Sequence, residues 1–340
     1  MLVRRKGAVI LLILAQLKVI IFLILLMAMV LSDHMMNLTN FGKNMDKIFV
    51  PPIKCQGIKT KLVPWIKESI PFHFKARWIE PFMGSGVVGF NTANKDAIFA
   101  DVNPYSIEFY NALKFKKITP NKAKDFLSKE GENLFKKGEK YYYYIRDRFN
   151  RDHNPLDFLF LSRSCFNGLM RFNKAGEFNV PFCRKPERFS KAYITKIVNQ
   201  IEYVYSKLQT TNWEFISLSF HDLIIKAKEN DLIYCDPPYL GRHVDYYNSW
   251  GIEEEQELAG LLKKTKARFI LSTWLKNDFR VNEAISLLWG EHNIITKSHY
   301  YHVGGKIENR NPVVEALITN FDLVSYPKRE TVKELSLAYL

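Results

Sequence analysis

Ala76-Arg77-Trp78-Ile79, followed by Glu80-Pro81-Phe82-Met83-Gly84-Ser85-Gly86-Val87-Val88-Gly89, is the stretch that decides the fold. Ala76 to Ile79 reads as a short strand. Gly84 to Gly89 fits G-x-G-x-x-G, where glycines let the backbone turn tightly and let a ligand approach main-chain atoms. A helix is predicted from about Val87, and Ala97 to Ala100 reads as a second strand ending at Asp101. Strand, glycine loop, helix, strand and acid together open a parallel α/β sheet. A carboxylate at Asp101 can accept two hydrogen bonds from ribose hydroxyls. The pattern by itself suits a nicotinamide-dependent dehydrogenase as well as an S-adenosylmethionine enzyme, and a purely structural glycine turn also satisfies it.

Working outward, Phe49 to Lys61 contains Pro51, Pro52 and Gly57 and reads as a loop opening into a helix near Lys59 to Ser69. Downstream, the texture changes from about Pro104. Lys, Tyr and Phe dominate through Asn150, and Ser162 to Phe189 is rich in Asn, Gly, Arg and Phe. This is read as an inserted lobe. The α/β texture returns in the apolar runs Leu232 to Cys235, Phe269 to Ser272 and Val313 to Ile318, with a helix expected over Glu253 to Lys264. The expected organisation is an N-terminal extension (1–35), the first part of a catalytic domain (36–103), an inserted lobe (104–210), the second part of the catalytic domain (211–323) and a tail (324–340).

Asp236-Pro237-Pro238-Tyr239 follows the run Leu232 to Cys235, at the C-terminal end of a predicted strand. Open α/β sheets bind their ligands there. An amine conjugated to an aromatic ring is a poor nucleophile, because its lone pair is delocalised. Hydrogen bonds from the amine to the Asp236 carboxylate and the Pro237 carbonyl would localise that pair and stabilise positive charge building on nitrogen. The two prolines stiffen the loop and remove competing N–H donors. Tyr239 supplies a face on which a base swung out of a helix can stack. A Pro-Pro turn after a strand is the bland alternative. Cys235 is expected to face the core.

The chain has 340 residues and a formal charge of +14, which favours a polyanionic partner, nucleic acid first. Its four cysteines, Cys55, Cys165, Cys183 and Cys235, form no C-x-x-C pair and have no histidine at zinc spacing. Neither a disulfide framework nor a metal site is expected, and reduced thiols in the cytoplasm fit the pattern. Ala8 to Leu31 is apolar except for Gln16 and Lys18, and is long enough to span a bilayer. Arg4, Arg5 and Lys6 before it would keep the N-terminus inside and export the rest, away from DNA. The expectation is therefore an upstream, non-native start, with Met35, Met36 and Met45 as alternative starts. Membrane contact is expected only if residues 8–31 are a real anchor.

The sequence resembles the Dam-like, D12-class DNA adenine-N6 methyltransferases. Ile53-Lys54-Cys55-Gln56-Gly57-Ile58-Lys59 is similar to their N-terminal cofactor motif, and Glu80 to Gly86 to their glycine loop. Phe166-Asn167-Gly168-Leu169-Met170-Arg171-Phe172-Asn173, continuing through Gly176 to Phe182, is similar to their DNA-contacting hairpin, and Asp236 to Tyr239 to their catalytic motif. The order of motifs is the family's. The resemblance implies a Rossmann-like class I S-adenosylmethionine methyltransferase sheet with an inserted, mostly helical target-recognition lobe carrying a β-hairpin. It implies catalysis by Asp236, Pro237, Pro238 and Tyr239. Cofactor contacts would come from Gln56, Lys59, Glu80, Phe82, Gly84, Gly86 and Asp236, with Asp101 on the ribose and Asp222 on the adenine of S-adenosylmethionine. DNA contacts would come from Phe166, Asn167, Leu169, Arg171, Asn173, Pro181 and Arg184, with GATC as the expected target. Double-stranded DNA is the implied partner, and a cognate restriction endonuclease acting separately is compatible with it. Cys55, Gln56 and Ile58 depart from the family's W-A-G-G-K, and Cys183 stands where glycine is usual. Methylation of RNA or of a protein glutamine, by the related N-P-P-Y chemistry, is the alternative that the hairpin argues against.

Overall fold

A computed structural model describes residues 47–71, 76–240, 250–300 and 312–322. Residues 8–31 and 324–340 lie outside these, so the expectations placed on them have no structural counterpart here. Among the described residues no helix is long and apolar enough to cross a membrane.

Seven strands form one sheet in the order β3-β2-β1-β4-β5-β7-β6. They are β1 (Arg77–Glu80), β2 (Asp96–Asp101), β3 (Asn212–Ser217), β4 (Asp231–Cys235), β5 (Arg268–Asn277), β6 (Asn293–Tyr300) and β7 (Pro312–Thr319). β1 through β5 pair in parallel, whereas β7 runs antiparallel to both β5 and β6. β4 is buried along its whole length, as a central parallel strand covered on both faces must be. At the amino ends of β1 and β4 the Arg77 guanidinium grips Asp231 with two hydrogen bonds of 3.0 and 2.7 Å. This fixes the register of the two strands that carry the principal motifs.

The expected strands are all present, with shifted edges. β1 begins one residue later than predicted and includes Glu80, while β5 runs five residues past Ser272 to Asn277. β3 and β6 were not expected. β3 alternates polar and apolar residues from Asn212 to Phe215, and β6 is polar from Thr296 to His299, so neither shows the apolar run that reveals a buried strand. The first helix, α1 (Val63–Glu68), is shorter than the predicted span, and Lys59 sits in the turn before it.

α2 (Val87–Thr92) crosses from β1 to β2. The crossover from β2 to β3 is the insert. It holds α3 (Pro104–Lys114), α4 (Pro120–Lys137), α5 (Glu139–Asp152), α6 (Pro155–Ser164) and α7 (Lys191–Leu208). Three of these helices begin with the same device. Asn103-Pro104, Thr119-Pro120 and Asn154-Pro155 each place a capping side chain, which accepts a hydrogen bond from the first turn, directly before a proline at the first helical position. α3 packs on β2 and β3 as well as on α6, so it is a wall shared by sheet and insert. The short helix α8 (Phe220–Ile224) follows β3, α9 (Ile252–Lys264) lies between β4 and β5, and α10 (Glu283–Trp289) lies between β5 and β6.

Two apolar layers hold the site. On one side Phe90, Phe99, Tyr110, Trp213 and Phe215 form a stack with centroids 5.1–6.2 Å apart. On the other, Ile233, Leu258, Leu262, Phe269 and Trp289 are fully buried. Cys235 belongs to this second core, as expected, and burial pushes its thiol well above the usual range.

Candidate active site

The strand order reverses direction between β1 and β4, and open sheets take ligands outside the carboxyl ends of strands at such a point. The glycine loop follows β1 and Asp236 follows β4 directly. Pairing of the two strands therefore brings these distant motifs together. A cavity of about 760 Å³ opens there, with both motifs in its walls.

The glycine loop is fixed from three directions. Met83 N–H donates to Ala100 O (2.9 Å), and the Tyr110 hydroxyl donates to Ser85 O (3.0 Å). Gly84 N–H donates to Asp101 Oδ2 at 2.7 Å, while Asp101 Oδ1 accepts from Asn103 N–H at 2.9 Å. Gly84 (φ 50°) and Gly86 (φ 76°) occupy the left-handed region that glycine tolerates. A Cβ on Gly86 would lie 2.8 Å from the Phe90 ring. Asp101 thus ties the loop to the end of β2. A carboxylate has about four acceptor sites, so it keeps capacity for a ligand. Burial raises its pKa, and the two backbone N–H groups partly offset this. Glu80 is buried beneath the loop and accepts from Trp78 Nε1 at 2.8 Å. Burial holds its carboxyl well above the ordinary range, against the pull of that N–H.

Asp236 faces Lys59 across the cavity, with Nζ 2.8 Å from Oδ1. Leu62 and Val63 N–H both donate to Lys59 O, so the turn opening α1 holds the lysine in place. Its ammonium also lies 4.5 Å from the centre of the Tyr239 ring. Burial raises the Asp236 pKa, and the Lys59 charge and hydrogen bond counter it. At the other end of the tetrapeptide the Tyr239 hydroxyl donates to Glu315 Oε2 (2.5 Å), a fully buried carboxylate on β7.

Three aromatic rings close one end of the cavity. Phe82 stacks on Phe220 (5.4 Å between centroids, 25°), and Trp250 meets Phe82 edge-on at 5.4 Å. Phe82 was expected in the site from the motif, but Phe220, Trp250 and Glu315 were not. Phe220 lies two residues before the expected Asp222, and single aromatics outside a motif carry no sequence signal. Gln56, Lys59, Glu80, Phe82, Gly84, Asp101 and Asp236 to Tyr239 all line the cavity. Asp222 does not. It is exposed at the start of α8, where its carboxylate accepts from the Ser219 hydroxyl at 2.8 Å. Gly86 stands just behind the wall and caps α2.

The segment after α6 carries the expected DNA-contacting residues. It doubles back as a short hairpin with only single bridges, Cys165 to Phe182 and Phe172 to Phe178, in place of a long ladder. The turn is closed by Gly176 N–H to Asn173 O and Asn173 N–H to Glu177 O, both 2.9 Å. Helix side chains brace its return strand. Asn150 exchanges two hydrogen bonds with the Phe178 backbone, and the Tyr142 hydroxyl donates to Val180 O. Phe166, Asn167, Asn173, Pro181 and Arg184 are exposed, while Leu169 and Arg171 are half-buried. Arg171 Nε donates to Asn179 Oδ1 at 2.8 Å. Met170 and Lys174 from this segment reach the cavity wall, and Gly168 packs on the Lys54 side chain. The structure therefore places the expected reading segment beside the expected transfer site.

Comparison with known proteins points the same way. Residues 56–303 match the model of the D12 class N6 adenine-specific DNA methyltransferases. The chain is similar to the DNA adenine methylase of Serratia marcescens, at 33% identity over 222 residues that cover 62% of this chain and 76% of the relative. It is similar to the DNA adenine methylase of Vibrio cholerae at 32% identity, covering 66% of this chain and 80% of the relative. It also resembles the type II methyltransferase M.FokI of Planomicrobium okeanokoites, at 30% identity over 82% of this chain and 44% of that longer protein.

Proposed function

The chain belongs to the D12 class of N6 adenine-specific DNA methyltransferases, and on that premise we propose that it methylates the N6 amine of an adenine extruded from a short duplex target, with S-adenosylmethionine as donor. The observation that carries this reading is the shared cavity. Asp236 and the glycine loop face one space at the strand-order switch.

The walls fit such a donor. Gly84 exposes backbone, Asp101 offers acceptors for ribose hydroxyls, and Phe82, Phe220 and Trp250 offer flat apolar faces for a purine. Asp222, expected on that purine, accepts from the hydroxyl of Ser219, a residue of the cavity wall, and the aromatic faces add stacking. When bound, S-adenosylmethionine supplies an electrophilic methyl group on a sulfonium. The chain's own residues act on the amine. Asp236 and the Pro237 carbonyl accept its hydrogens, localise its lone pair and stabilise the charge that develops on nitrogen. Tyr239 stacks on the extruded base. Lys59 pulls the Asp236 pKa down against the rise that burial imposes, which favours the carboxylate that accepts from the amine.

Residues 104–210 act as the target-recognition lobe, and the hairpin from Phe166 to Arg184 faces the duplex. Arg171 reads guanine, Leu169 meets a thymine methyl, and Phe166 or Asn167 fills the gap left by the adenine. GATC is the target this set suits, with the enzyme acting alone or beside a separate endonuclease. The test is sequencing of N6-methyladenine in DNA from cells expressing the chain, beside Asp236→Ala. Methylation confined to GATC and lost in the variant is expected. A different single site would reject GATC alone. No methylation by a folded, expressed chain would reject the whole reading.

A further inference from the structure

Glu315 has no counterpart in the chemistry described so far. It is a carboxylate with 0% exposure in the middle of β7, beside Ala316, Leu317 and Ile318, which are as fully buried. Its strand neighbours are Trp274 on β5 and Lys297 on β6. A buried acid costs stability unless it is well hydrogen-bonded, so the fold gains nothing from placing one here for packing alone. Its Oε2 accepts from the Tyr239 hydroxyl at 2.5 Å. Tyr239 is itself 9% exposed and packs with Trp274 and Val313, which are the flanks of Glu315 on the sheet.

The tetrapeptide is therefore held at both ends by side chains from separate parts of the chain. Lys59 grips Asp236, Glu315 grips Tyr239, and two prolines join the grips. The Lys59 ammonium over the Tyr239 ring, 4.5 Å from its centre, closes the circuit. A phenol ring held only by packing can rotate about its Cβ–Cγ bond and rock about its Cα–Cβ bond. A hydroxyl anchored to the sheet removes the rocking freedom and sets the ring plane relative to Asp236.

We propose that Glu315 is a positioning residue that fixes the plane of Tyr239 through its hydroxyl, and so sets the face on which the target adenine is held against Asp236. This rests on the reading of Tyr239 as the stacking surface. The acceptor is what matters, so an amide at 315 should serve where a methyl cannot.

The experiment compares single-turnover methylation of a duplex, and S-adenosylmethionine affinity by calorimetry, in Glu315→Gln, Glu315→Ala, Tyr239→Phe, Tyr239→Ala and the double variant Glu315→Ala/Tyr239→Phe. Glu315→Ala and Tyr239→Phe should each slow transfer by about tenfold, the scale of one hydrogen bond to a charged group. Glu315→Gln should recover most of the rate, donor affinity should stay within about twofold of wild type, and the double variant should be no slower than the slower single, as expected for two residues acting through one bond. A wild-type rate in Tyr239→Phe with a slow Tyr239→Ala would overturn the role of Glu315 and leave stacking intact. A wild-type rate in Tyr239→Ala would overturn stacking itself. Multiplying losses in the double variant, or a Glu315→Gln as slow as Glu315→Ala, would assign Glu315 to the fold and not to the ring.

Discussion

Lys59 Nζ lies 2.8 Å from Asp236 Oδ1, and both side chains are largely withdrawn from water, with 5% and 20% of their surfaces exposed. Breaking a pair of this kind leaves a charge without compensation. The consequence for catalysis has a definite sign. In the proposed mechanism ionised Asp236 is the form that accepts the amine hydrogens, so the rate should fall as pH drops through its pKa. Burial raises that pKa, and Lys59 pulls it down. Lys59→Met removes the pull, so the acid limb of the single-turnover rate should move to higher pH. The profile is measured at saturating donor, so that weaker binding does not enter. An acid limb that stays in place or moves to lower pH would exclude this role for Lys59.

Asp101 and Asp236 should separate binding from chemistry. Asp101 holds the Gly84 amide; in the proposed reading it also accepts from a ribose, whereas Asp236 faces the amine. Asp101→Ala should weaken S-adenosylmethionine binding by at least about tenfold, the scale of one charged hydrogen bond. Asp236→Ala should abolish methyl transfer while donor affinity changes far less. Calorimetry and single-turnover assays on both variants check this. Unchanged affinity in Asp101→Ala would remove it from the donor site.

Much of this was legible in the chain, for identifiable reasons. β2 and β4 show as apolar runs because a parallel strand is covered on both faces, β1 shows as a short strand ahead of the glycine loop, and the motifs sit at carboxyl ends because ligands bind there. β3 and β6 are illegible because polar residues alternate in the first and run together from Thr296 to His299 in the second, both being edge strands with one open side. The helices of the insert left a signal that went unread. Asn103-Pro104, Thr119-Pro120 and Asn154-Pro155 announce three helix starts, since the residue before proline is driven to extended backbone and proline suits the first helical turn. Glu315 and Trp250 could not be found from sequence. Their contribution comes from tertiary contact with Tyr239 and Phe82, across 76 residues in the case of Glu315, and neither belongs to a local pattern.

Gly89 is a packing glycine, and it sets a limit on what the loop tolerates. A Cβ there would lie 2.2 Å from both Glu80 Oε2 and the Phe99 ring, and 2.9 Å from Trp78 Nε1. Gly89→Ala would gain about 1 kcal/mol of helix propensity in α2. Overpacking a well-filled core costs about 1–3 kcal/mol and can cost more, and here rigid rings leave no room to yield. The net effect should be destabilising, with a lower midpoint in urea. A midpoint at or above that of wild type would show that the cleft between β1 and α2 is looser than its contacts indicate.

Arg171 should read one guanine of the target. Its Nε donates to Asn179 Oδ1 at 2.8 Å and its Nη2 to Asn179 O at 3.3 Å, so the return strand of the hairpin orients the guanidinium. An arginine oriented in this way can present its fork to the O6 and N7 acceptors of guanine in the major groove. The competing role is a phosphate contact, which is the commoner fate of basic residues in such interfaces. A chain of net charge +14 has many candidates for that role. The two roles differ in what Arg171→Ala loses. Base reading predicts a loss of about 1–3 kcal/mol of discrimination at a single base pair, with little change in the salt dependence of binding. A phosphate contact predicts a uniform loss over all duplexes and a salt slope shallower by about one. Binding of the variant to the cognate duplex, to duplexes with one guanine replaced at a time, and across a salt series distinguishes them. A uniform loss with the shallower slope would move Arg171 to the backbone and leave the bases of the target to be read by other side chains.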